Sequence, residues 1–288
     1  MTQAAGKTGT GPTVSVAIEQ HFPAPQRLID DNLAYAILPF AMRAVVGLTR
    51  PAFVRDWMIR SLEKPAPGIW GGLMCRKRYI DEKLLAAVAQ IDAVVNLGAG
   101  FDTRAYRLPA LAALPVWEVD QPENITAKRD RLQKLFGVLP THVTLVPLDF
   151  DHEALDTVLT KHGYTANQST FFIWEAVTQY LTETGVRATF DFLAQAASGS
   201  LLSFTYIRKD FLEGRVMYDQ ASLYKQYVAP KIWRFGLAPE EVADFLGAYE
   251  WRIIEHLGYD ELAERYVKPT GRALATTLLE QMVYAQKL

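Results

Sequence analysis

AVVNLGAGFDTRAYRL, running from Ala93 to Leu108, joins an apolar run to two glycines, an acid, a threonine and an arginine. Val94, Val95 and Leu97 predict a short buried strand, because β-branched, uncharged runs of this length fit the interior of a sheet. Gly98 and Gly100 then free the backbone of side chains, which permits positive φ and lets a ligand approach the chain closely. Asp102 and Thr103 are helix-starting residue types. Strand, glycine turn and helix start together open a nucleotide-binding βαβ unit. For G-x-G alone, an ordinary tight turn is an equal reading. On the nucleotide reading, a side chain added at Gly98 fills space that the ligand needs.

The following residues discriminate between ligands. A dinucleotide fingerprint takes Gly or Ala at its third glycine position, so that the helix packs close to the strand. Thr103 stands there, followed by the bulky Arg104. A pyrophosphate is disfavoured, and a ligand without one, such as S-adenosylmethionine, suits the turn better.

Downstream of this turn the pattern repeats. PVWEV, HVTLVPL, TFFIW and SLLSFTY read as further strands, with helical stretches PENITAKRDRLQKLF, DHEALDTVLTKHG and TETGVRATFDFLAQAA between them. Alternating strands and helices predict an α/β fold with a doubly wound, mostly parallel, Rossmann-like sheet. Residues near 207–235, rich in Tyr, Arg and Lys, are expected to form an inserted helical lid. PEEVADFLGA reads as a helix and EWRIIEHLGY as a late strand. The tail ALATTLLEQMVYAQ is ambiguous between helix and strand. Upstream, VSVAIEQHF, PQRLIDDNLAYAIL, PAFVRDWMIRSLEK and RKRYIDEKLLAAVAQ read as helices, with KPAPGIWGG as a loop. The expected organisation is a helical cap over residues 1–90, packed on a core over residues 91–288.

The 288 residues are half hydrophobic and 22% charged, a normal globular mixture. The net charge of −2 provides no overall electrostatic case for nucleic acid or an anionic membrane. Cys75 is the only cysteine, so no intramolecular disulfide or cysteine zinc framework is available, and a reduced, cytoplasmic setting is expected. MTQAAGKTGTGPTVS lacks the apolar region of a signal peptide and reads as a disordered tail. LAYAILPFAMRAVVGL is broken by Pro39 and Arg43 and is too short to span a bilayer. A helix packed on the protein's own core is the preferred reading there, ahead of one lying on a membrane or lining a lipophilic pocket. No stable membrane anchoring is expected.

Ligands of open α/β sheets bind beyond the carboxyl ends of the strands. That places Gly98 and Gly100 after the first strand, Glu118 and Asp120 at the end of the second, Asp149 and Phe150 after the third, and Glu175 after the fourth, with Tyr180 a turn later. An acid about twenty residues past the glycines can bind ribose hydroxyls, and position favours Asp120 over Glu118. The five histidines show no i, i+4 metal spacing, so no metal is expected. No G-x-S-x-G elbow and no G-x-x-x-x-G-K-[ST] loop occurs.

CRKRYIDEKL, VVNLGAGFDTRAYRL, WEVDQPENITAKRDRL, VPLDFDH and FIWEAVTQYLT together resemble the leucine carboxyl methyltransferase family of S-adenosylmethionine-dependent methyltransferases, in its bacterial small-molecule branch. The resemblance implies a class I methyltransferase fold and that cofactor. It implies that Arg76 pairs with the methionine carboxylate, that Gly98 and Gly100 admit the cofactor, and that Asp120 holds the ribose. It further implies that Asp149 and Phe150 flank the adenine, that Glu175 faces the methionyl ammonium, and that Tyr180 lies near the reacting end. Eukaryotic members act on the C-terminal leucine of a phosphatase, and nothing in this sequence indicates a protein substrate.

No His–Asp pair is evident to serve as a base. A carboxylate acceptor is already ionised at neutral pH, whereas a phenol or alcohol gains from a base. The expected acceptor is therefore a small, fairly apolar molecule with a carboxylate or acidic hydroxyl. Tyr206 and Arg208, with Tyr224 and Tyr227, are candidate anion-binding groups in the lid, and Tyr180, Tyr206 and Arg208 are the candidate catalytic residues. An NAD(P)-dependent oxidoreductase, or a non-catalytic ligand-binding protein retaining the fold, are the alternatives.

Overall fold

The computed structural model describes residues 10–150 and 152–288. The helices that matter for the site are α1 (Thr10–Glu19), α2 (Phe40–Leu48), α3 (Ala52–Glu63), α4 (Ile69–Ala87), α5 (Pro122–Phe136), α6 (Leu155–Lys161), α7 (Glu183–Leu193) and α8 (Val242–Gly247). The strands are β1 (Ala93–Leu97), β2 (Val116–Asp120), β3 (Val143–Pro147), β4 (Thr170–Trp174), β5 (Leu201–Ile207), β6 (Trp251–Gly258) and β7 (Glu280–Lys287). They form one sheet in the order β3-β2-β1-β4-β5-β7-β6. β1 to β5 are parallel, and β7 runs antiparallel to both β5 and β6. The chain winds from β1 outward to β3, then crosses to β4 on the other side of β1. That reversal opens a crevice at the carboxyl ends of β1 and β4.

The strands are buried on both faces, as the continuous apolar runs require. Alternation divides the core. Val94, Phe171 and Ile173 pack with Trp70, Met74, Tyr79 and Leu84 of α4. Val95, Leu97, Phe172 and Trp174 pack on the opposite side with Val186, Phe190 and Leu193 of α7. The N-terminal residues therefore have no separate core, and α4 is itself one helical layer against the sheet.

Several local expectations change. Residues 27–38, expected to continue a helix, form turns. Their backbone donors go to side chains instead: Leu28 N–H to Glu19, Asp31 N–H to Gln20, and Leu33 and Ala34 N–H to Asp31. α4 starts inside the expected loop, because the Glu63 carboxylate takes the N–H groups of Gly68 and Trp70, both at 2.6 Å. After the glycine turn the helix is one turn, Arg104–Arg107. α2 packs on the core through Val46, the one buried residue of its nine. Residues 10–15 of the expected disordered tail are helical, and 1–9 lie outside the described residues. Residues 207–235 contain only short turns, Lys209–Leu212, Ala221–Leu223 and Tyr224–Val228. The ambiguous tail ends in β7, where a strand fills the gap between β5 and β6.

Candidate active site

The crevice is lined by Pro12 and Thr13 of α1, Arg76 and Lys77 of α4, the turn from Gly98 to Asp102, Asp120, Asn124, the segment Glu175 to Val177, and Tyr180. Gly98 and Gly100 both take positive φ, 74° and 42°, so the turn needs residues without a Cβ penalty. A Cβ built on Gly98 points at Val177, well inside contact distance of its Cγ2 methyl. Protein packing against Val177 is thus a reason for glycine at this position.

Asp120, the last residue of β2, bends back under the turn. Its carboxylate accepts from Gly100 N–H at 2.6 Å, and from Gln121 N–H and Asn124 Nδ2 at 2.7 Å each. These bonds tie the second strand end to the first. Glu118, two residues earlier, is fully buried away from the crevice with Lys128 Nζ at 2.7 Å and the Tyr106 hydroxyl at 2.7 Å. Burial pushes the Glu118 carboxyl up despite Lys128.

Glu175 is the hub of the charged wall. Its carboxylate meets Arg76 at 2.9 Å, Arg104 at 2.8 Å and Lys77 at 3.3 Å. Burial works against its charge, but Lys77, Arg104 and Arg76 outweigh that and hold the carboxyl well below the usual range. Arg76 is shared with Glu280 of β7 at 2.8 Å, and Glu280 also accepts from the Tyr259 hydroxyl at 3.0 Å. Arg104, almost fully buried, spans Asp81 at 2.6 Å, Asp102 and Glu175. Burial opposes its charge, and Asp102, Glu175 and Asp81 overcome it. The following Ala176 adopts φ 57°, unusual for a residue with a Cβ, and its N–H donates to Thr205 Oγ1 at 2.9 Å.

The structure thus brings together Arg76, Gly98, Gly100, Asp120, Glu175 and Tyr180. Asp149 and Phe150 do not line the crevice. Phe150 packs in the core with Leu155 and Val158, and Asp149 N–H donates to Glu153 at 2.8 Å. Tyr206 and Arg208 are also elsewhere. On β5, the Thr205 hydroxyl accepts from Ala176 N–H, so alternation sends Tyr206 to the opposite face, where its hydroxyl meets His256 Nε2 at 2.8 Å. Arg208 pairs with Asp210 at 3.1 Å and lies over the Tyr218 ring. Of residues 207–235, the segment holding Trp233 and Arg234 meets Tyr180 at the crevice. Trp233 stands edge-on to Tyr180, ring centroids 6.3 Å apart, and stacks on Tyr227 at 4.8 Å. Arg234 donates to the Tyr180 carbonyl at 2.6 Å.

Sequence reasoning missed Lys77, Asp102, Arg104 and Glu280 as members of this site. Asp102 and Arg104 lie in the motif itself, and their alternating charge was the available signal. Glu280 carried none, because its strand could not be assigned.

Arg76 and Lys77 bring cationic groups to the crevice, and Glu175 and Asp120 bring anionic ones.

The chain is similar to named relatives and to solved structures. A protein of Mycolicibacterium smegmatis, provisionally named an S-adenosyl-L-methionine-dependent methyltransferase, is 33% identical over 199 residues, covering 64% of this chain and 58% of its own length. A Mycobacterium tuberculosis protein of the same provisional name is 32% identical over 212 residues, covering 68% and 66%. This chain therefore spans about three-fifths to two-thirds of those relatives. A Mycobacteroides abscessus relative, 27% identical, aligns over 97% of this chain and 93% of its own. Among solved structures, a provisionally named methyltransferase from Thermobifida fusca superposes with TM-score 0.58 at 15% identity, covering 81% of this chain and 88% of its own. A DUF574 family protein from Streptomyces avermitilis gives 0.57 at 14%, covering 82% and 91%. At such identities the likeness establishes the fold, that of class I methyltransferases. Residues 9–194, from α1 through α7, match the leucine carboxyl methyltransferase family, and the chain belongs to that family, whose cofactor is S-adenosylmethionine.

Proposed function

We propose that this protein transfers a methyl group from S-adenosylmethionine to an oxygen of a small, fairly apolar acceptor that carries a carboxylate or an acidic hydroxyl. The observation that supports an acidic acceptor is the lining of the crevice, which among the described residues holds no histidine and whose carboxylates already accept from several donors. Glu175, held ionised by Lys77, Arg104 and Arg76, is a poor proton acceptor, which favours an acceptor that arrives as an anion. The bound cofactor supplies an electrophilic methyl on a sulfonium; the methyl–sulfur bond breaks as the methyl–oxygen bond forms, and sulfur keeps the electron pair. The chain's part is position: Arg76, Lys77 and Glu175 orient the amino-acid end, Asp120 the ribose, and Tyr180 with Trp233 form an apolar wall that excludes water from the reacting end.

Calorimetric titration with S-adenosylhomocysteine, with NAD as control, tests the cofactor. Micromolar binding of the first alone supports the reading, and binding of NAD alone overturns it. With methyl-labelled cofactor and a panel of aromatic and aliphatic acids, volatile methanol released by alkali identifies a carboxyl ester. Label stable to alkali identifies an ether at a hydroxyl. Transfer only to amines or thiols refutes the oxygen assignment.

A further inference from the structure

Among the described residues, nine of the sixteen exposed large apolar side chains fall between Tyr35 and Ile69. Phe40 is 81% exposed, Leu48 68%, Phe53 76% and Trp57 63%. Phe40 and Leu48 lie on one stripe of α2, two turns apart; Phe53 and Trp57 lie on one stripe of α3, one turn apart. Such exposure on so many aromatic and aliphatic side chains marks an interaction surface rather than scatter. Residues 1–9, MTQAAGKTG, offer no large apolar group beyond Met1 to cover it.

The charge around these side chains has one sign. Residues 40–64 carry five basic and two acidic side chains, although the whole chain is −2. Both acids are engaged locally: Asp56 lies 3.4 Å from Arg55, and Glu63 caps the start of α4. Arg50, Arg60 and Lys64 are exposed and have no ion-pair partner among the described residues. Arg60 and Lys64 continue the Phe53–Trp57 stripe of α3 toward its C-terminal end.

We propose that α2 and α3 form a reversible docking surface for an anionic lipid bilayer. Phe40, Leu48, Phe53 and Trp57 enter the headgroup boundary while Arg50, Arg60 and Lys64 meet anionic headgroups. Charge decides against a second copy of this chain. A two-fold interface sets a patch against itself, which would press the same basic rim on its like. No helix among the described residues is long and apolar enough to cross a membrane, so the contact is peripheral. α1, which lines the crevice, packs on α2, so docking would bring the crevice close to the bilayer surface. The proposal does not depend on the acceptor's identity.

The test is flotation of the full chain with extruded vesicles of phosphatidylcholine alone and of phosphatidylcholine with about a third phosphatidylglycerol. The expected result is partition onto the anionic vesicles that falls with added salt. Phe53→Ser with Trp57→Ser should lower it more than tenfold. Neutralising Arg50, Arg60 and Lys64 to Gln should cost about fivefold for each charge removed. These side chains are exposed, so the variants should melt with the parent, which thermal unfolding checks. Absence of flotation overturns the proposal, as does flotation unchanged in both variants. A dimer abolished by Phe53→Ser with Trp57→Ser, with no vesicle binding, overturns it in favour of self-association.

Discussion

Gly98→Ala isolates why the motif needs its first glycine. At φ 74° an alanine pays about 1–2 kcal/mol for the left-handed backbone. Its Cβ would overlap the Val177 Cγ2 methyl, with Cγ1 3.2 Å and Cβ 3.3 Å away. Val177 is buried and β-branched, so it has few rotamers in which to yield, and overpacking of this kind adds about 1–3 kcal/mol. The expected loss is about 2–5 kcal/mol in urea unfolding at unchanged slope. Val177→Ala alone should lose about 1–3 kcal/mol through the cavity it leaves. Combined, the two changes remove the overlap but not the backbone cost. The double variant should be more stable than the additive sum by about 1–3 kcal/mol, well beyond the scatter for independent sites. Additivity within about 0.5 kcal/mol would refute the overlap as the reason for glycine. A Gly98→Ala protein as stable as the parent would refute the backbone reason too.

Other outcomes follow from the site. Asp120→Ala should weaken S-adenosylhomocysteine binding more than tenfold by calorimetry, since a charge-assisted bond is worth about 1.5–3 kcal/mol, and unchanged affinity in a folded variant removes Asp120 from the ribose role. Arg104→Met leaves Asp81, Asp102 and Glu175 without their shared cation and should cost about 3–5 kcal/mol of stability in urea, with Arg104→Lys recovering only part. Burial pushes the His256 imidazole below its ordinary 6.5, so between 6.5 and that lower value the unfolded chain binds a proton that the folded chain refuses. Its contribution should be complete above pH 6.5 and decline as pH falls through the folded value, with a slope of at most about 1.4 kcal/mol per pH unit. His256→Gln should flatten the urea midpoint across that window, and an unchanged pH dependence would remove the assignment.

The strands and the glycine turn were legible because local chemistry specifies them. β-branched runs bounded by Gly, Pro and Asp read as buried parallel strands, and α5 matches its sequence signal from Pro122 to Phe136. Strand ends then located Asp120 and Glu175, because a doubly wound sheet presents those ends to one crevice. What the tertiary structure decided were the partners and the facing of side chains. Tyr206 and Thr205 are neighbours in sequence, yet strand alternation and the Ala176 N–H turn Thr205 to the crevice side and Tyr206 away. Residues 27–38 have helical composition but lose their backbone donors to Glu19, Gln20 and Asp31. Glu280, which holds Arg76 across 204 residues, could not be read at all, since its strand exists only where β5 and β6 leave a place for it. Local periodicity and turn chemistry are written along the chain. Which carboxylate shares which arginine depends on long-range packing, and no spacing in the sequence encodes it.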